Sequence, residues 1–438
     1  MHRHAPADVL ALAVRVLGDQ QLADAWLDRP GVQLGGRTPR QLMSSADGAR
    51  RVEELLAQID DEDRLHAAQT RDIPLFLCGD VMTGRGIDQI LPHPSSPQLY
   101  ERYMDSAVGY VQLAERATGA IERPADFAYV WGDALAELER EKPAARIVNL
   151  ETAITSAEDA WPNKGIHYRM HPDNVPCLSA ARIDCCVLAN NHSLDWGYAG
   201  LGETLDRLHR AGIATAGAGR DDAEAAAPAT LALAERGRLL VCAFAMPSSG
   251  VPRDWAARRG RAGVNFLADL SAATLDEVVR QIHAVKRAGD IIVASIHWGP
   301  NWGYDLDRAE RAFARQLIDA AAVDLVHGHS SHHAKAIEVY RDKAILHGCG
   351  DFLNDYEGIG GYESFRPDLS LMYFPTLDAA SGRLVRMRLV PMRIRRFRLN
   401  RAAEADARWI EHMLNREGRE LGTRVERQAD DSLELRWR

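Results

Sequence analysis

The stretch VLANNHSLDWG (residues 187–197) ends an apolar run in two asparagines, a histidine, an aspartate and a glycine. Asn, Asp, Ser and Gly are ordinary turn residues, so the run reads first as a strand leaving a sheet through a turn. Asn191, His192 and Asp195 also offer an amide oxygen, an imidazole and a carboxylate within a few residues. That combination is what a strand-end active site uses, and the neighbouring segments decide between the two readings.

Short β-rich runs occur at 73–78, 146–150, 183–189, 239–245, 291–296 and 323–326, and amphipathic stretches such as 200–211 and 307–321 separate many of them. Continuous apolar strands alternating with helices predict an α/β fold whose sheets are covered on both faces. Residues 336–347 read as a hairpin turning at Arg341-Asp342, 384–390 as a further strand, and 402–416 as a last helix before a charged tail. The first seventy residues read as a separate helical extension, with Leu10, Val14 and Leu17 at helical spacing. The chain thus divides into 1–70, a domain over 71–400, and a C-terminal helix and tail over 401–438.

Polar residues gather where the strands end. Asp80 follows the first run, Glu151 the second, Asn191 and His192 the third, His297 and Trp298 the fifth, and His327, His329 and His332 the sixth. Ligands of open α/β sheets sit beyond the carboxyl ends of the strands. Six of the sixteen histidines fall between 297 and 347, and a metal or acid/base centre assembled from separate loops is the reading this favours over a series of turns.

Bulk properties set limits. With 46% hydrophobic and 26% charged residues and a net charge of −9, the chain has the composition of a globular protein and no electrostatic case for nucleic-acid binding. No eighteen-residue apolar run predicts a membrane span, and Asp8, Arg15 and Asp19 interrupt what would be a signal peptide's apolar segment. The six cysteines form no CxxC pair, so a reducing cytoplasm is the expected compartment.

The motifs GDVMTGRG (79–86), NLETAIT (149–155), LANNHSLDWG, HWG (297–299) and GHSSH (328–332) resemble, in order, the CapA-type branch of calcineurin-like metallophosphoesterases, over roughly residues 73–400. The resemblance implies a four-layer α/β/β/α sandwich. It also implies candidate metal ligands at Asp80, Glu151, Asn191, His297, His329 and His332, with His192 as an acid/base or oxyanion partner. Met82 stands where phosphoesterases carry a ligand histidine, and a thioether is a poor ligand for a hard ion. An oxygen-rich site of this kind suits Ca²⁺, Mg²⁺ or Mn²⁺.

Imidazoles not needed as ligands are free to move protons near neutral pH. His192 and His332 are the expected pair, with His297 and His329 as alternatives where they are not ligands, and Asp195 and Asp351 the carboxylates that orient them. Arg85 or Lys164 is expected to meet a substrate carboxylate, and Trp298, Trp302 and Tyr304 to line a pocket. Two His/Asp pairs across one carbon would invert it. In that respect the chain resembles lasso-peptide epimerases, which implies a ribosomal precursor peptide as substrate and a chain that works alone or as a homo-oligomer. A phosphoesterase and a non-catalytic subunit of polyglutamate synthesis are the other readings the resemblance leaves open.

Overall fold

In this computed structural model residues 6–17, 20–31, 34–233 and 237–438 are described, with backbone alone for 6–8, 21 and 60–71. The chain divides into two compact units, Met1–Asp72 and Ile73–Arg438.

The N-terminal unit is built from the helices Pro6–Leu17, Gln20–Leu27, Pro39–Leu42 and Ala46–Arg71. Val9, Ala13, Ala23, Leu27, Ala49, Val52 and Leu56 close its own small core. Thr38 and Gln41 form a reciprocal capping box, and the Ser45 side chain accepts from the Gly48 N–H at the head of the long helix, so start signals in the sequence set both helix ends. The expected helical character of this region is what the structure has.

The second unit holds two large sheets. The ten-stranded one carries a parallel centre, Asp72–Val81, Ala145–Leu150, Cys185–Val187 and Ala214–Ala216, flanked by the antiparallel strands Leu369–Asp378 and Leu384–Arg395. The six-stranded one is built on Arg238–Ala245, Ile291–His297, Leu325–His329 and Lys343–Leu346, all parallel. Alternation along the strands shows how the layers stack. Ile291 and Val293 join the cluster that also holds Leu75 and Ile147 of the other sheet, whereas Ile292, Ala294 and Ile296 join Phe313 and Leu317 of the helix Arg308–Ala321. One face of the smaller sheet therefore meets the larger sheet and the other meets helices, which is the α/β/β/α order.

Other details agree or depart. Arg341 and Asp342 both have positive φ and join Ile337–Tyr340 to Lys343–Leu346 as a two-residue hairpin, as their turn chemistry predicts. The tail differs: after the helix Glu404–Gly418, the strands Thr423–Arg427 and Leu433–Trp437 pair with each other and extend the large sheet. Val425, Leu433 and Leu435 are buried there, and their alternation with charges is a strand pattern rather than that of a solvated tail. The run at 183–189 is also shorter than expected, because Asn190 turns back onto the Leu188 carbonyl.

Gly79 shows how closely the site is drawn together. Asp80 lies beside Asn149 on one neighbouring strand and Asp351 on the other, and its N–H donates to the Gly350 carbonyl at 3.0 Å. A Cβ on Gly79 would fall 1.6 Å from that carbonyl oxygen. Gly79→Ala is therefore expected to part Asp80 from Asp351 and cost at least about 2 kcal/mol, read as a fall in Tm. Gly165→Ala, where a Cβ meets no atom within 4 Å, should leave Tm unchanged.

Candidate metal and acid/base centre

The period of the strands places the chemistry. Leu325 faces the larger sheet, so His327 and His329, two and four residues on, face it too, and Ser295 and His297 follow Ile291 and Val293 onto the same side. Register pairs Ser295 with His327 and His297 with His329. These four side chains are buried between the sheets, at the same end as Asp80 and Glu151.

At the centre stand the two carboxylates. Asn149 Nδ2 donates to Asp80 Oδ1 at 2.7 Å and lies 3.4 Å from Glu151 Oε2. Asn149 is held in turn by Asn190, whose amide reaches Asn149 Oδ1 at 3.0 Å and whose own oxygen accepts from the His192 N–H at 3.0 Å. Burial, then the nearby Asp351, pushes the Asp80 carboxyl up to about 7, and burial with Asp80 pushes Glu151 upward as well. Asp80 Oδ2 is buried with no hydrogen-bond donor among the described residues. An unpaired carboxylate oxygen this deep is costly unless a cation meets it.

Two imidazoles complete that side. His297 Nδ1 and His329 Nδ1 lie 2.7 Å apart, His329 Nδ1 lies 4.0 Å from Asp80 Oδ1, and His297 Nε2 lies 3.0 Å from Asn191 Oδ1 and 4.0 Å from Glu151 Oε1. Burial holds both imidazoles well below their ordinary range, and so neutral, the form that ligates a metal. Asp80, His297 and His329 offer ligand atoms within 4.8 Å of one another, and so do Asp80, His332 and Asp351. Asp80 with the neutral imidazoles of His297 and His329 is a donor set that fits a divalent ion, and Glu151 and Asn191 lie beside His297.

A His/Asp pair stands on each side of this cradle. His192 Nδ1 lies 2.6 Å from Asp195 Oδ2, Asp195 Oδ1 meets Lys164 Nζ at 2.7 Å, and His192 Nε2 faces Glu151 Oε1 at 3.6 Å. His332 Nδ1 lies 2.8 Å from Asp351 Oδ1, Asp351 Oδ2 accepts from Asn354 at 2.8 Å, and His332 Nε2 lies 3.0 Å from Asn301 Nδ2. The environments push the two imidazoles apart. Burial draws His192 down to about 4, despite Asp195. At His332 burial also pulls downward, but Asp351 and Asp80 outweigh it and the imidazole is raised. One histidine is thus poised to accept a proton and the other to give one.

Three expected roles fail. Arg85 cannot meet a substrate: its guanidinium is buried, bonded to Asp355 and Glu101, and lies over the rings of Tyr110 and Tyr168. Trp298 belongs to the core between sheet and helices, its indole donating to the His347 carbonyl at 3.1 Å. Trp302 does reach the site, its ring centroid 5.2 Å from His332 and stacked at 4.0 Å on Tyr362. Tyr304 packs instead on His333 and Phe365. Asn149, Asn190 and Ser295 are the residues sequence reasoning missed. Asn149 lies two residues before Glu151, and that spacing within a strand, which shares one face, is the signal that would have found it.

The site predicts a pH-dependent stability. Asp80 titrates near 3.8 when unfolded and near 7 when folded, so the folded state binds the extra proton between those values and Asp80's contribution to stability is lost as pH rises through them. With chelator present, Asp80→Asn should raise Tm above the wild type at pH 8, by the equivalent of about 2–4 kcal/mol. The gain should vanish toward pH 4, and thermal melts at several pH values check it.

Residues 74–356 match the family model described as bacterial capsule synthesis protein PGA_cap. A probable polyglutamine synthesis accessory protein of Mycobacterium tuberculosis is 50% identical over 364 residues, which is 83% of this chain and 96% of that protein. The PGA biosynthesis protein CapA of Bacillus subtilis is 24% identical over 63% of this chain and 62% of its own length. A solved phosphatase from Mycoplasma pneumoniae aligns with 73% of this chain and 93% of its own, at 11% identity and a TM-score of 0.40. Residues 12–61 match a second model, the antitoxin Xre/MbcA/ParS C-terminal toxin-binding domain. None of these relatives carries the peptide-epimerase description that the motifs suggested.

Proposed function

Because the chain belongs to the bacterial capsule synthesis protein family that its residues 74–356 match, we propose that it is a metal-dependent hydrolase of phosphate esters that serves synthesis of a glutamyl or glutaminyl polymer. The observation that carries the chemistry is a pair of imidazoles bordering a buried carboxylate cradle, His192 beside Glu151 and drawn down to about 4, His332 beside Asp80 and Asp351 and raised. The polymer is the one named for its relatives.

His192, neutral at pH 7, takes a proton from the attacking water as the new P–O bond forms. Asp195 stabilises the imidazolium that results, and Lys164 keeps Asp195 ionised and in place. His332 delivers its proton to the departing oxygen as the ester P–O bond breaks. Asp80, Glu151, Asn191, His297 and His329 would hold a divalent ion, which would supply positive charge near the phosphoryl oxygens. Two imidazoles among those donors favour Mn²⁺ over Ca²⁺. No helix among the described residues is long and apolar enough to cross a membrane.

Hydrolysis of generic phosphate mono- and diesters with added Mn²⁺ tests the reading. Chelator-sensitive turnover is expected, and its absence from a Mn²⁺-loaded protein would sink it. His192→Gln should lower kcat about 10²–10⁴-fold. The pH profile of kcat/KM should rise through about 4, where His192 loses its proton. It should fall again above the ordinary histidine range, where His332 loses its own, and His332→Gln should abolish that falling limb.

The two His/Asp dyads support a second reading, proton exchange at a peptide Cα, with a ribosomal precursor peptide as substrate. Deuterium uptake from D₂O without ester hydrolysis would favour it. The N-terminal unit, similar over residues 12–61 to a toxin-binding domain, is read as a protein-docking module outside the chemistry. A chain beginning at Asp72 should therefore hydrolyse a small ester as well as the whole chain does.

A further inference from the structure

Behind the cradle a hydrogen-bonded line runs from the Cys78 carbonyl through His327 and Ser295, which the proposed chemistry does not use, to the metal-holding His329, all buried. His327 Nε2 lies 2.8 Å from the Cys78 carbonyl oxygen, Ser295 Oγ lies 3.0 Å from His327 Nδ1, and the same hydroxyl lies 2.9 Å from His329 Nε2. None of these distances alone says where the hydrogens are, but the donor and acceptor capacities of the groups leave one arrangement.

A carbonyl oxygen only accepts, so His327 must carry its hydrogen on Nε2. His327 has no carboxylate partner and is neutral in its apolar surroundings, which leaves a lone pair on Nδ1. The Ser295 hydroxyl has a single hydrogen. It donates to that lone pair, and its oxygen must then accept from His329 Nε2–H. Neutral His329 is left with its lone pair on Nδ1, the nitrogen 4.0 Å from Asp80 Oδ1 and 2.7 Å from His297 Nδ1, whose N–H donates to it until a cation takes that place.

We propose that Ser295 and His327 are positioning residues that fix the tautomer of His329, so that the Cys78 backbone carbonyl commits its Nδ1 lone pair to the metal cradle. The other tautomer would put an N–H in the cradle, where it cannot ligate. The device is encoded by strand alternation. Cys78 lies two residues before Asp80 on the same strand, so one strand supplies both a metal-holding carboxylate and the carbonyl that sets a metal-holding imidazole. Partners of this kind commonly set ligand orientation and affinity at metal sites. The proposal rests on the metal-site reading above, and its test separates the two.

Two measurements are made on the full chain. Long-range ¹⁵N–¹H correlations on the metal-free, ¹⁵N-histidine-labelled protein read the His329 tautomer, assigned by loss of its signals in His329→Gln. Calorimetry with Mn²⁺ alone reads affinity. The wild type should show His329 protonated at Nε2 and neutral at Nδ1. Ser295→Ala should show mixed tautomers and about tenfold weaker Mn²⁺ binding, and Ser295→Thr, which keeps the hydroxyl, should restore both. His327→Leu should weaken binding similarly with Ser295 intact, because the freed hydroxyl turns to donate to His329 Nε2 and moves the ring hydrogen to Nδ1. A merely structural role would not move that hydrogen.

An unchanged Nε2–H tautomer and unchanged affinity in folded Ser295→Ala and His327→Leu would overturn the proposal. So would a wild type protonated at Nδ1. A wild type with the stated tautomer that binds no Mn²⁺ would overturn the metal reading while leaving the hydrogen-bond line intact. Should Ser295→Ala fail to fold, His327→Leu and Ser295→Thr decide the question by the same two readouts.

Discussion

Two carboxylates, Asp80 and Glu151, are held out of water between two sheets, and the arrangement of the site follows from their charge. Burying ionised carboxylates costs several kcal/mol apiece, at least about that after relaxation, unless they are paired or meet a cation. Here the shared amide donor is Asn149, and Asp80 Oδ2 has no donor among the described residues. The fold tolerates this because Asn190 fixes Asn149 from behind, and because imidazoles rather than further carboxylates occupy most of the facing side. Burial pushes both carboxyls toward the neutral form, and a cation entering the seam would favour their charged form again.

The contrast with Arg85 sharpens the point. That guanidinium is as deeply buried as Asp80, but two carboxylates and two aromatic faces satisfy it. It is a closed structural knot that ties Asp355 and Glu101 to the loop after the first strand. The same holds for Glu338, whose carboxylate is shared by Arg311, Arg315 and His347. Saturated buried charge holds the scaffold together, and unsaturated buried charge marks the place of chemistry.

The two histidine pairs gain their difference from position. Both rings are buried and both have an aspartate on Nδ1, so composition alone would make them equivalent. Lys164 beside Asp195 partly neutralises the carboxylate that would raise His192, whereas the Asp351 and Asp80 charges together raise His332. An acid and a base arise from the same two residue types because one dyad sits near a cation and the other near a second anion. The N-terminal unit has its own core, and its residues 12–61 match a toxin-binding domain model.

Much of this was legible in the sequence. Alternating strands and helices gave the layered α/β fold, turn chemistry gave the Arg341-Asp342 hairpin, and strand-end polar residues gave Asp80, Glu151, Asn191, His192, His297, His329 and His332, because periodicity and turn propensity are local properties. The pairing of His192 with Asp195 was also within reach, since the two lie three residues apart. What a side chain faces once strands from distant parts of the chain come together is not local. Trp298 sits next to His297 in sequence, yet alternation turns it into the core, and Arg85 is bound to carboxylates 16 and 270 residues away. Only the packed sheets could place Asn149 between two carboxylates and align Cys78, His327, Ser295 and His329 in one line, because hydrogen bonds across a sheet depend on register, which no single strand contains.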